Sequence, residues 1–118
     1  MREVDITEEC LAFVDKQGER VALKFFQLVE VMMNEKVVHS LFIKKLQSTK
    51  FYELRVKAGN EYRIILFAID HLNFSQATEV VCLMGFLKKS TKDYKRAIKT
   101  AENILEDYLK RKENGKSN

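Results

Sequence analysis

A chain of 118 residues, 46% hydrophobic and 32% charged, carries enough apolar surface for one buried core and is too short for two. That composition excludes an intrinsically disordered chain, and no apolar run approaches the roughly 18 residues that a bilayer span requires. The formal net charge of +4 and a pI near 9.1 favour polyanionic partners such as nucleic acid without specifying one.

The opening residues Met1-Arg2-Glu3-Val4-Asp5 lack the apolar stretch of a signal peptide, so the expected compartment is the cytoplasm. Glu3 to Ile6 alternates, but over too few positions to separate a short edge strand from a disordered lead-in. Thr7 before Glu8-Glu9 and the apolar set Cys10, Leu11, Phe13 and Val14 predicts a capped helix ending near Gly18. Ala22, Phe25, Phe26, Val29, Met32 and Met33 then follow helical spacing and predict a second helix from Glu19 to about Asn34. Between Glu35 and Lys50 the pattern weakens, with a short helix expected over His39 to Leu46.

At Phe51 the period changes to two. Tyr52, Leu54 and Val56 alternate with Glu53, Arg55 and Lys57, which predicts a strand. The turn Ala58-Gly59-Asn60-Glu61 leads into a second strand from Tyr62 to Ile69, and the two form an antiparallel hairpin. A third strand, Val80 to Leu87, comes after a polar loop and ends in Lys88-Lys89. The last segment places Ala97, Ile98, Ala101, Ile104, Leu105, Tyr108 and Leu109 on one face of an amphipathic helix, with Asp93 the expected N-cap and 113–118 a flexible tail. The predicted whole is a single α+β domain over 1–112, a small antiparallel sheet with two N-terminal helices and one C-terminal helix. Cys10 and Cys82 have no metal-ligand spacing around them and are expected to be small core residues.

Three runs carry a resemblance: Phe51-Tyr52-Glu53-Leu54-Arg55-Val56-Lys57, then Gly59-Asn60-Glu61-Tyr62-Arg63-Ile64, then Val81-Cys82-Leu83-Met84-Gly85-Phe86-Leu87-Lys88-Lys89. In this order and spacing, over roughly residues 7 to 110, the chain resembles the RelE/ParE superfamily of toxins, in its HigB-like, phage-associated branch. Two departures stand out: Met84 where family members commonly have histidine before the Gly-Phe pair, and Tyr94 where the last helix commonly begins with proline. The resemblance implies the toxin of a type II toxin-antitoxin system, a ribosome-dependent messenger RNA endoribonuclease that inhibits translation. It implies no cofactor and no metal. The implied partners are mRNA on the ribosome and a helix-turn-helix antitoxin, with DNA reached only indirectly through that antitoxin and no membrane involved.

Metal-free RNA cleavage needs a base for the ribose 2′-hydroxyl, cations for the charge building on the phosphate, and an acid for the departing 5′-oxygen. The candidate catalytic set is Arg63, Lys88, Lys89 and Tyr94, with Arg55, Lys57, Lys44, Lys45 and Lys92 as candidate RNA-binding cations. Each has a plainer reading: Arg55 paired with Glu53 or Glu61, the lysines as ordinary surface charge, and Tyr94 covering the core. His39 and His71 fall in poorly patterned segments and are not expected to be catalytic. Two other functions fit the same pattern: a ParE-like binding module that inhibits DNA gyrase, and an inactive prophage relic of the same fold.

Overall fold

The computed structural model describes residues 1–116, and its elements run β1 (Glu3–Ile6), α1 (Glu8–Gln17), α2 (Glu19–Asn34), β2 (Ile43–Lys45), β3 (Tyr52–Lys57), β4 (Glu61–Ala68), β5 (Glu79–Leu87) and α3 (Lys92–Lys116). They build one five-stranded sheet in the order β1-β5-β4-β3-β2. The α+β class and the placement of the three helices are as the sequence predicts. The sheet itself is mixed: β2 to β5 pair antiparallel, whereas β1 lies parallel to β5, with Val4 opposite Val80 and Ile6 opposite Cys82. So short a run is held as an edge strand by Thr7, the residue immediately after it. The Thr7 amide donates to Cys82 O at 3.1 Å and its hydroxyl to Leu83 O at 2.6 Å, while the same hydroxyl caps α1 by accepting from the Cys10 amide at 3.0 Å.

Both faces of the sheet are covered. Phe25, Leu28, Val29 and Met32 of α2, with Cys10 and Val14 of α1, pack on Leu54, Val56, Ile64, Leu66, Val80 and Cys82. On the other face Ala97, Ala101 and Leu105 of α3 meet Phe51, Ile65, Val81 and Leu83. Small residues on α3 bring its axis close to the sheet, and the 3.6-residue stripe read from the sequence is the stripe that is buried. The cysteines are core residues as expected, and burial raises both thiols, Cys10 to about 12 and Cys82 well above the ordinary thiol range.

Three segments differ from the sequence reading. The predicted helix over His39 to Leu46 is a single turn, with Phe42 N and Ile43 N both donating to His39 O, and then strand β2. Ile43 pairs with Leu54 and extends the sheet, which satisfies the outer backbone groups of β3 that a helix would leave bare. Asp93 is not the N-cap. It lies one residue inside α3 and reaches back so that its Oδ2 accepts from the Lys89 and Ser90 amides at 2.8 and 2.9 Å. Finally, α3 continues through Glu113 to Lys116, where a tail was expected, and the remaining tail positions, Ser117 and Asn118, lie outside the described residues.

Gly85 sets how closely α1 approaches the sheet. A Cβ there would stand 2.7 Å from Ile64 Cδ1 and overlap the Phe13 ring, so the glycine is the seat of that ring. Gly85→Ala is expected to destabilise the fold by about 1–3 kcal/mol through overpacking. Phe13→Leu in the same chain should return part of the loss. Urea unfolding of the single and double variants measures both, and strictly additive losses would mean that the ring is not what the new methyl meets.

Arg2, only 5% exposed, is a fixed point that the sequence pattern does not reveal. Its guanidinium donates to Met32 O (2.6 Å), Glu35 O (2.8 Å), Lys36 O (2.8 Å) and Phe74 O (3.3 Å), while its Nε reaches Ala77 O (3.0 Å) and its plane covers the Phe74 ring. The last turn of α2 contains no basic residue, so this distant cation supplies the donors and positive charge that a helix C-terminus favours.

Candidate active site

The chemistry-bearing residues gather where β3, β4 and β5 run toward the start of α3. Arg55 and Arg63 are direct cross-strand partners, and Phe86 flanks Arg63 on its other side. The pleat turns Glu53, Arg55 and Arg63 toward α3, away from the Leu54–Val56 core. Since α3 covers this face, the polar side of an alternating strand is itself enclosed: Glu53 is 2% and Arg63 3% exposed.

Two buried groups of opposite charge require each other. Glu53 Oε1 accepts from Arg55 Nε at 3.0 Å, and its Oε2 lies 3.8 Å from Arg63 Nε, an ion-pair distance without a hydrogen bond. Arg63 also donates from Nη1 to its neighbour's carbonyl, Tyr62 O at 3.1 Å, and lies 3.5 Å from Glu61 Oε2. Its Nε donates to the Tyr94 hydroxyl at 3.1 Å. Tyr94 is held from below by Phe86 in an edge-to-face contact with ring centroids 5.2 Å apart, and the Lys88 ammonium stands 5.9 Å from its ring centroid. Burial, and next the Glu53 carboxylate, push the Tyr94 phenol above its usual range, so it keeps its proton.

Of the predicted catalytic set, the structure joins Arg63, Lys88 and Tyr94 directly. Lys89 is exposed just beyond β5, its amide held by Asp93. Arg63 departs from the expectation of an accessible cation: it is committed to Glu53, Glu61 and Tyr94 and meets solvent hardly at all. Among the predicted RNA-binding cations, Arg55 keeps 27% of its side chain exposed, Lys57 is exposed at the hairpin end of β3, and Lys92 is exposed at the first position of α3. Lys44 lies opposite Glu53 in register and so belongs to this face. Lys45 lies opposite Tyr52, one residue out of phase, and its Nζ is taken up by the carbonyls of Leu46 and Thr49. The structure therefore does not bring Lys45 to the site. His39 and His71 lie in exposed turns, their Nδ1 atoms accepting from Leu41 N and Asn73 N, and Met84 packs beside Phe86 under α3.

Residues 12–106 match the family described as Phage derived protein Gp49-like. The chain belongs to that family. The fold of this Gp49-like protein is that of RelE, as the resemblance in its three strand runs implies. The E. coli toxin RelE, solved in the free state as a double arginine-to-alanine mutant, is similar with a TM-score of 0.57 and 21% identity, over 83% of this chain and 95% of that one. A chain of the intact E. coli RelBE toxin-antitoxin complex is similar with a TM-score of 0.54 and 20% identity, over 76% of this chain and 100% of that one. Among curated proteins there is no significant match.

Glu53 is the site residue that sequence reasoning undervalued, as a mere partner for Arg55. The signal was partial: a carboxylate on the same strand as Arg55, in a hairpin that also carries Arg63.

Proposed function

We propose that this Gp49-like protein is the toxin of a toxin-antitoxin pair, a ribosome-dependent endoribonuclease that cuts messenger RNA and is silenced by a helix-turn-helix antitoxin. The observation that carries the reading is the Tyr94 hydroxyl, held 3.1 Å from Arg63 Nε, with the Lys88 ammonium over its ring. Its RelE-like fold, shared with a chain of a toxin-antitoxin complex, supports the partner class.

In this reading one of Lys88 and Lys89, as the free amine, takes the proton of the 2′-hydroxyl, while the other, with Arg55, holds the scissile phosphate. The 2′-oxygen attacks phosphorus, the bond to the 5′-oxygen breaks, and that oxygen leaves with the proton of Tyr94. The products are a 2′,3′-cyclic phosphate and a 5′-hydroxyl. Arg63, too buried to meet RNA, is a positioning residue that aims the Tyr94 hydroxyl.

Inducing the protein alone in bacteria is expected to halt growth, with incorporation of labelled amino acids falling before that of labelled nucleotides. A fall in DNA synthesis while translation persists would assign the fold to gyrase binding instead. No effect on either, from folded protein, would mark an inactive relic.

A further inference from the structure

Beside the site, at the outer edge of the sheet, lies a cavity of about 210 Å³ lined by Lys24, Leu41, Phe42, Arg55 and Lys57. It draws on three elements: Lys24 comes from α2, Arg55 and Lys57 from β3, and Leu41 and Phe42 from the turn that enters β2. The backbone fixes the wall, since the Arg55 amide donates to Phe42 O at 2.7 Å. Three cations converge here, and among the described residues neither Lys24 nor Lys57 has an ion-pair partner, while Arg55 spends its Nε on Glu53. The apolar side is open as well, with Leu41 64% exposed and Phe42 half-buried.

We infer that this cavity is a nucleotide subsite, in which one base of single-stranded RNA lies against Phe42 and Leu41 while its phosphate is held by Lys24, Arg55 and Lys57. The inference rests on the nuclease reading and adds to it the seat of a nucleotide flanking the cut. Three cations around a flat apolar wall suit a phosphate joined to an aromatic base, because every base offers a face for stacking and every link offers an anion. The volume suits a single base, being below the usual range of small-molecule sites. Arg55 joins the two sites physically: one side of it walls the cavity, and its Nε bonds the carboxylate that pairs with Arg63 beside Tyr94. A nucleotide seated here is thus one residue's reach from the proposed scissile phosphate.

The test uses the full chain and a short single-stranded RNA with 2′-O-methyl sugars, which cannot be cut, carrying 2-aminopurine at successive positions. Binding should quench the probe at one position. Phe42→Leu should abolish that quenching and weaken binding about tenfold. Lys24→Ala should leave quenching at saturation but reduce the salt dependence of binding by about 0.7 in slope, one phosphate contact fewer. Lys16→Ala, on the exposed end of α1, should change neither, and thermal melts establish that all three variants are folded. Unchanged quenching and salt slope in both cavity variants overturn the subsite, as does a cavity that binds a glutamate-rich peptide in a Lys24-dependent way and RNA in a Lys24-independent way. Wild-type cleavage of ribosome-bound message with no cavity-dependent binding would remove the subsite and leave the nuclease standing. Cavity-dependent binding without cleavage would do the reverse.

Discussion

A message with one 2′-deoxyribose at the scissile position is expected to bind in a stalled ribosome complex with this protein and remain uncut, because the missing hydroxyl is the nucleophile. The all-ribose message should be cut to a 2′,3′-cyclic phosphate and a 5′-hydroxyl. Tyr94→Phe keeps the ring on Phe86 and removes the hydroxyl, with its proton and the oxygen that accepts from Arg63, and should slow cleavage on the order of a hundredfold. Lys88→Ala together with Lys89→Ala should cost at least as much, through the loss of positioned charge. The phenol is raised above its ordinary value, first by burial and then by Glu53, so its proton is retained across and above neutral pH. The imidazoles His39 and His71 lie in exposed turns, so mild acidification through the imidazole range should change little beyond what the ribosome imposes. Mapping product ends and rates decides the matter: a cut deoxy message or a 5′-phosphate end would mean that water attacks, and an unaffected Tyr94→Phe would strip the phenol of its role.

Glu53→Ala should be among the most destabilising single substitutions outside the apolar core. It leaves Arg63, itself 3% exposed, without the carboxylate buried beside it, and breaking one side of a buried pair costs about 3–5 kcal/mol. Against a total stability of roughly 5–15 kcal/mol, a loss of that size removes at least about a fifth of it. Glu53→Leu with Arg63→Met, which removes both charges at similar volume, should recover most of the stability and none of the activity. Denaturant unfolding of the single and double variants reads both halves. A single variant that loses under about 1 kcal/mol would show that Glu61 and the Tyr62 carbonyl suffice for Arg63.

Periodic elements were legible from residues alone. The stripes of α2 and α3 fixed both type and burial, because one repeating face had to be covered in each, and the alternation of β3 fixed its type. Thr7 and Gly18 marked the ends of α1 for local reasons of capping. What stayed hidden depended on partners far along the chain. Ile43 to Lys45 has no strand signature of its own and is a strand because β3 offers an open edge. Glu53 looked like a solvated position on an alternating strand and Arg63 like an accessible cation, and they are buried because α3 lies over the polar face too. The cations were singled out through the family resemblance, with Lys88 and Lys89 following the Gly-Phe pair, whereas how deeply each one lies is something alternation does not encode. Arg2 is the extreme case: a single charge near one end whose acceptors are spread over residues 32 to 77.

That last arrangement has a consequence for synthesis. Arg2 and β1 are made well before the strand that receives them, β5, and the bonds from Arg2 to Phe74 and Ala77 span 72 and 75 positions. On a translating ribosome β1 therefore waits without its partner strand until β5 has emerged. Contacts of such sequence separation form late and slowly. The sheet closes only when β5 arrives, and the same stretch completes the floor under Tyr94, so architecture and proposed activity mature together.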